Sequence, residues 1–184
     1  MLFRVFLSAI VPLFVGAAAL VSSAANADAS ERERRFFSSV EGRWSGPGEI
    51  VAGKYRGTKF ICNFTGTTPD GKIGMALDGG CRVGLFTQRM SAAIEKSGGS
   101  GYRGTFMDGA AGNGLDVVGG TVASNRVTFR LSRNALDGAM QARMTDDDTM
   151  NVTVSVKVEN QMVPVIGISL KRLDERSVGA VITR

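Results

Sequence analysis

The chain has 184 residues, of which 43% are apolar, and a formal net charge of +5. This size suits one ordinary domain with a buried core. Histidine is absent from the sequence, which excludes a Ser/His/Asp triad, a Cys/His pair and histidine-ligated zinc or haem. The basic residues are spread along the chain without a dense patch, so we expect no nucleic-acid partner.

Residues 1–27 have the composition of a secretory signal peptide. Arg4 gives a positive start, an apolar run follows, and small residues end in an A-x-A pattern at 25–27. Cleavage after Ala27 would leave 157 residues with a net charge of +4, because Arg4 is the only charged residue removed. We therefore expect a periplasmic protein. No later apolar run approaches the ~20 residues of a spanning helix, so we expect a chain that does not span the membrane.

An N-terminal segment, residues 28–41, follows the expected cleavage site, and its residues 30–41 predict a short helix. Ser30 fits the N-cap position, and Glu33 three residues later completes a capping-box pattern. Three apolar side chains of this helix can cover one end of a core: Phe36, Phe37 and Val40.

Residues 42–184 predict an all-β domain. Thr149–Val158 alternates apolar and polar residues, and Arg126–Ser132 repeats the pattern. We expect roughly 8–10 strands in a single antiparallel meander, closed into a barrel that leaves no exposed edges. A two-sheet sandwich is the alternative. A membrane barrel is disfavoured because only ten aromatic residues follow residue 27. Asp-Gly pairs typical of hairpin turns occur at 70–71, 78–79, 108–109 and 137–138.

The only two cysteines are Cys62 and Cys81. In an exported chain a disulfide is the default for such a pair, and it would close a loop of about 20 residues. Alternation places Cys62 on an inward face. The direction of Cys81 depends on Gly79 and Gly80, since a bulge there would reverse the alternation. The alternatives are a redox motif, whose cysteines are usually closer in sequence, and a metal site, which needs further ligands.

The densest carboxylate cluster is Asp146–Asp148. Calcium-binding loops interleave carboxylates with carbonyls and a glycine turn, and that spacing is missing here. We interpret the cluster as a polar hairpin turn before the Thr149–Val158 strand. We expect no metal ion and no cofactor.

Gly42-Arg43-Trp44 opens the first predicted strand, directly after the predicted helix. This resembles the G-x-W motif of lipocalins and related calycin barrels, although the other lipocalin signature regions are not visible. The resemblance implies that Trp44 seals one end of a barrel and that an arginine of the last strand packs over it. Arg172 lies in register with Ile166 and Ile168 on the inward face of that strand, so it is the candidate. The chain also resembles small exported β-barrels of alphaproteobacteria and bacterial protease inhibitors with one disulfide and an early Trp.

These observations predict a non-catalytic periplasmic barrel that binds a small apolar or amphipathic ligand. The alternative is an envelope interaction protein or protease inhibitor that acts through its loops or through residues 28–41. A hydrolase that uses carboxylates is disfavoured because no pair stands out. The pattern leaves open whether the interior is filled or hollow. The candidate interior residues are Trp44, Phe60, Phe64, Met75, Phe129, Met140, Val154 and Arg172.

Overall fold

One helix and ten strands make up the described part of the chain. The structure, a computed structural model, describes residues 18–98, 101–107, 115–134 and 136–173. Most of the predicted signal peptide and the Asp-Gly pair at 108–109 lie outside these residues. The described helix is not long and apolar enough to cross a membrane. The elements are α1 (Ala18–Ser39), β1 (Gly42–Ile50), β2 (Lys59–Thr67), β3 (Gly74–Val83), β4 (Phe86–Lys96), β5 (Tyr102–Met107), β6 (Leu115–Ala123), β7 (Arg126–Arg133), β8 (Leu136–Asp146), β9 (Thr149–Val158) and β10 (Gln161–Arg172).

The ten strands form one closed sheet. Each strand pairs antiparallel with its neighbours in sequence, and β1 also pairs with β10. The prediction of an all-β antiparallel meander barrel with an N-terminal helix is confirmed, and the sandwich alternative is wrong. Alternation explains the closure, because each strand presents apolar side chains to one face and that face becomes the interior. Closure also pairs both edges that an open ten-stranded sheet would leave exposed.

Helix α1 begins earlier than the sequence pattern predicts. It starts at Ala18, so Ser30 lies inside the helix and caps nothing. The alanine-rich residues before Ser30 have high helix propensity, which continues the helix backwards. Glu33 forms an ion pair with Lys96 of β4 instead of a capping box. The expected cleavage after Ala27 falls within α1 of the unprocessed chain, and processing stays a prediction.

Two of the Asp-Gly pairs do not form turns. The pair at 78–79 lies inside β3 and the pair at 137–138 inside β8, whereas the pair at 70–71 does form a turn between β2 and β3. In β3, Gly79 lies opposite Phe64, and a Cβ at Gly79 would meet the backbone of Asn63 at 2.1 Å. The glycine is there because two strands approach closely, which single-sequence turn signals do not distinguish from a hairpin.

The barrel has two different ends. Helix α1 covers the end at which β1 begins and β10 finishes, and we call this the closed end. Phe36, Phe37 and Val40 are buried there, as expected from the sequence. The other end carries the β1–β2, β3–β4, β7–β8 and β9–β10 connections, and we call it the open end.

The barrel interior as a candidate ligand site

A disulfide links β2 to β3 across the inner wall. Cys62 and Cys81 lie directly opposite each other, and both are buried. Gly79 and Gly80 continue the β3 ladder without a bulge, so the alternation is kept and Cys81 faces inward. The predicted disulfide is confirmed. It fixes the register of two neighbouring strands on the wall of the interior.

Trp44 seals the closed end. Its side chain is completely buried, and its indole Nε1–H donates to the Val40 carbonyl over 3.0 Å. The Arg172 guanidinium lies 4.3 Å from the centre of the Trp44 ring. The two residues are also register partners on β1 and β10. The cation–π lid implied by the G-x-W resemblance is therefore present in the structure.

Arg172 also closes the C-terminal end of helix α1. Its Nη2 donates to the Ser39 carbonyl over 2.7 Å, and its Nη1 donates to the Glu41 carbonyl. Its other donors reach the Asp147 carbonyl, and its Nε lies 3.4 Å from Asp148 Oδ1. The last carbonyls of a helix lack intrahelical partners and carry partial negative charge, so a guanidinium is favourable there. Arg172 thus ties together α1, β1 and the β8–β9 turn.

The predicted polar turn at Asp146–Asp148 joins β8 to β9. The Asp148 N–H donates to Asp146 Oδ1 over 2.9 Å, which is a local turn bond. The hydroxyl of Thr149, and then this backbone N–H, lower the pKa of Asp146. Among the residues that the structure describes, no group of three or more Cys, Asp or Glu side chains lies close enough to share a metal ion.

Aromatic rings continue inward from the helix. Phe37 contacts Tyr102 with ring centres 5.5 Å apart, and Tyr102 contacts Phe129 at 5.6 Å. All three side chains are at most 1% exposed. Burial, and then the negative charge of Glu33, raise the pKa of the Tyr102 hydroxyl. This half of the interior is filled by protein, and we call it the closed half.

The other half of the interior is lined by inward side chains that protein covers only in part, and we call it the open half. Met140 lies opposite Val154, and Val154 lies opposite Ile166. Alternation with the buried Met150 and Leu170 shows that Val154 and Ile166 point inward. These side chains are apolar and half-buried. The open-half residues of this kind are Met90, Phe106, Leu115, Met140, Val152, Val154, Ile166 and Ile168.

The structure brings all eight predicted interior residues into one barrel but divides them between its halves. In the closed half lie Trp44, Phe64, Phe129 and Arg172, with the half-buried Met75 beside Ile94. Met140 and Val154 line the open half. Phe60 is near the open end, but it is buried because its ring lies over β1. A Cβ at Gly48 would lie 2.2 Å from that ring, so this contact requires glycine.

Several open-half residues were not among the predicted interior residues. Met90 follows a stretch of β4 that alternates weakly and contains Gln88. Phe106 and Leu115 lie on either side of residues 108–114, which are outside the described part. Ile166 and Ile168 are also outside that list of eight, although the sequence pattern already places them on the inward face of the last strand. For Met90, Phe106 and Leu115, the available signal is each strand's alternation continued to both of its ends.

A groove of about 820 Å³ lies on the outer wall, across β9, β10, β1, β2 and β3. Most of its lining residues alternate with buried interior residues, so they face outward. Among them are Pro47, Glu49, Lys59, Ile61, Arg82 and Ser169. Four inward positions, Gly48, Phe60, Val152 and Ile168, also line this groove.

The fold and the interior define the chain as a small antiparallel β-barrel protein. No protein-family model matches the chain, and no curated protein matches it. Among solved structures it is similar to Rv2717c from M. tuberculosis, with a TM-score of 0.57 and 13% sequence identity. The match covers 77% of this chain and 98% of that chain. At this identity the similarity shows the fold alone, and kinship with lipocalins or protease inhibitors stays a prediction.

Proposed function

We propose that this protein is an exported, non-catalytic barrel that holds a small apolar or amphipathic ligand in the open half of its interior. The observation that carries the proposal is the difference in cover between inward residues. Trp44 and Phe129 in the closed half are 0% exposed, whereas Met140 and Val154 keep part of their surface uncovered. Apolar side chains that line an uncovered concave wall are typical of small-molecule sites.

The chemistry of the open half favours an apolar ligand body. Val152, Val154, Ile166 and Ile168 occupy the inward positions of β9 and β10 there, and they offer no charged group. Met90 and Met140 are flexible side chains that adapt to ligands of different shape. An apolar ligand, or the apolar tail of an amphipathic one, would fit this arrangement.

Two features support export and binding without catalysis. The Cys62–Cys81 disulfide suits an oxidising compartment, which agrees with the signal-peptide pattern of residues 1–27. The absence of histidine from the sequence removes the commonest general base. The proposed organisation is a signal peptide at 1–27, a helical segment at 28–41 and a barrel at 42–184.

The direct test is native mass spectrometry of the protein purified from the periplasm of the cell that makes it. We expect a co-purifying small molecule that adds a discrete mass. Val154→Phe should fill the open half and abolish the added mass, because a larger side chain would occupy the ligand's space. Val118→Phe is the matched control: Val118 is 40% exposed and alternates with the buried Val117, so it faces outward.

The control should keep the ligand, and both variants should melt like the parent protein. The proposed function would be contradicted if the parent protein showed the mass of the protein alone and if adding laurate as a probe did not increase that mass. Retention of the ligand by Val154→Phe would contradict its placement in the open half.

A further inference from the structure

Large apolar side chains project from the rim of the open end. At the tip of the β3–β4 hairpin, Leu85 is 97% exposed and Phe86 is 84% exposed, next to Val83 at 43%. Exposed apolar residues of this size rarely cluster on a protein that has no partner. The same rim carries further exposed apolar side chains from other connections and strand ends: Val51, Tyr55, Met107, Leu136, Val158 and Met162. We call these nine residues the apolar rim.

The apolar rim surrounds the mouth of the barrel. Its members come from the β1–β2, β3–β4, β7–β8 and β9–β10 connections or their flanking strands, and from the end of β5. They therefore form a ring of projecting tips and not a groove. A ring of tips fits a flat partner that accepts apolar groups over its whole area, which describes a lipid bilayer surface. A groove-binding peptide would need a concave apolar surface instead.

Cations stand beside the rim. Lys54 lies 5.6 Å from the ring centre of Tyr55, a pairing suited to a lipid interface because one end is apolar and the other is charged. In the described part of this end, cations outnumber carboxylates. The cations are Lys54, Arg56, Lys59, Arg82, Arg133 and Lys157, and the carboxylates are Glu49, Asp116, Asp137 and Glu159. Basic groups next to apolar tips complement anionic head groups.

We propose that the open end docks on an anionic lipid bilayer, with Leu85 and Phe86 below the head groups and the neighbouring cations at the level of the phosphates. This docking goes beyond the proposed ligand binding and does not require an occupied interior. It would place the mouth of the barrel against lipid and leave α1 and Trp44 on the far side.

The first test is flotation of the exported protein with vesicles of phosphatidylcholine that contain phosphatidylglycerol. We expect binding that weakens with added salt and is lost with phosphatidylcholine alone. L85S combined with F86S should lower the partition coefficient by at least about tenfold, because two large side chains would no longer leave water. Leu173→Ser is the matched control, since Leu173 is 39% exposed at the closed end.

All variants are compared with the same N-terminus, read from the intact mass, so that any retained leader contributes equally. Binding by the parent that L85S and F86S do not weaken would overturn the proposal. Equal weakening by Leu173→Ser would also overturn it. Because the residues concerned are exposed, the melting temperatures should not change, and this is checked on each variant.

A second measurement reads the orientation. In Phe86→Trp, the fluorescence of the introduced tryptophan should shift to the blue on vesicles and should be quenched by brominated lipids. In Leu173→Trp, the introduced tryptophan should show neither change. Quenching of both reporters would mean unoriented binding and would overturn the proposal. Two other outcomes would overturn the proposal if vesicle binding is absent. One is a dimer in solution that L85S and F86S dissociate, and the other is capture of one protein partner through the rim. If the docking proposal fails, the proposal of a ligand in the interior is unaffected, because native mass spectrometry tests that proposal separately.

Discussion

The two halves of the barrel use the same alternation of inward apolar residues and reach opposite results. In the closed half, α1 inserts Phe36, Phe37 and Val40 above Trp44, and these four side chains are at most 3% exposed. In the open half no helix covers the described mouth, and Met140 and Val154 are only half-buried. The difference teaches that an inward pattern predicts a barrel wall, while the cover over its end decides whether the inward side chains are fully buried or stay partly uncovered.

The halves also differ in how charge is used. Around the closed end, Arg172 pairs with Asp148, Lys96 with Glu33, and Lys72 with Glu95. These pairs hold loops and the helix against the barrel, and individually an exposed pair contributes little. At the open end, Lys54 lies over the ring of Tyr55 among exposed apolar residues. The described ion pairs of the closed end hold elements of the fold together, whereas the cations of the open end are the groups that the docking proposal uses.

The division into two halves predicts that side chains of the closed half contribute more to the free energy of unfolding than those of the open half. Trp44→Ala should lower the free energy of unfolding by about 3–5 kcal/mol, because it leaves a large cavity in fully packed surroundings. Met140→Ala in the open half should lower the free energy of unfolding by less than about 2 kcal/mol, because part of the Met140 side chain is already uncovered. Urea unfolding of both variants is the measurement. Similar losses for the two, or a change within about 0.5 kcal/mol for Trp44→Ala, would contradict the division.

The contact of Arg172 with Trp44 can be removed without leaving a large cavity in the core. Arg172→Met should cost about 2 kcal/mol, because it removes the cation over Trp44 and leaves the Ser39 and Glu41 carbonyls without their donor. Arg172→Lys should recover only part of this loss, since an ammonium group cannot bridge several carbonyls as the planar guanidinium does. Chemical denaturation compares the two variants. Full recovery by lysine would mean that charge alone matters there.

The buried Tyr102 gives a pH-dependent test of the closed half. Burial and Glu33 raise the pKa of Tyr102 above the ordinary tyrosine value of about 10, so the folded chain holds this proton more tightly than the unfolded chain. The stabilising contribution is complete below about pH 10 and is lost as the pH rises through the higher folded-state pKa. Absorbance titration at alkaline pH should show that the Tyr102 hydroxyl ionises only above the ordinary tyrosine range while the protein is folded. Tyr102→Phe should remove that late transition.

Ionisation of Tyr102 within the ordinary tyrosine range in the folded protein would contradict this assignment. Tyr102→Phe should also lessen the fall in unfolding free energy above pH 10.

Much of the fold was predictable from local patterns. The predicted strand Thr149–Val158 has the observed bounds of β9, because period-two alternation is a property of the strand itself. Trp44 and Arg172 were paired by the G-x-W resemblance. The turn predicted at Gly79 is wrong because the role of this glycine depends on Phe64 in another strand. The predicted start of α1 is wrong because a good cap pattern at Ser30 does not stop a helix-favouring stretch before it.

The division of the interior was not predictable. Sequence alternation shows that Phe129 and Met140 both face inward, and they are indeed register partners. One is 0% exposed and the other half-buried. That difference comes from which strands and helix residues lie across the interior from each side chain, which depends on strand tilt and closure. Local sequence carries no information on either.

Methionine methyl groups offer the most direct test of a hollow open half, because they are present in both halves. Met90 and Met140 lie in the open half, and Met144 and Met150 are buried in the closed half. We expect laurate, added to the exported protein labelled at its methionine methyls, to shift the NMR signals of Met90 and Met140. The signals of Met144 and Met150 should not move. Shifts confined to Met144 and Met150, or no shift at Met90 and Met140 up to saturating laurate, would contradict a ligand site in the open half.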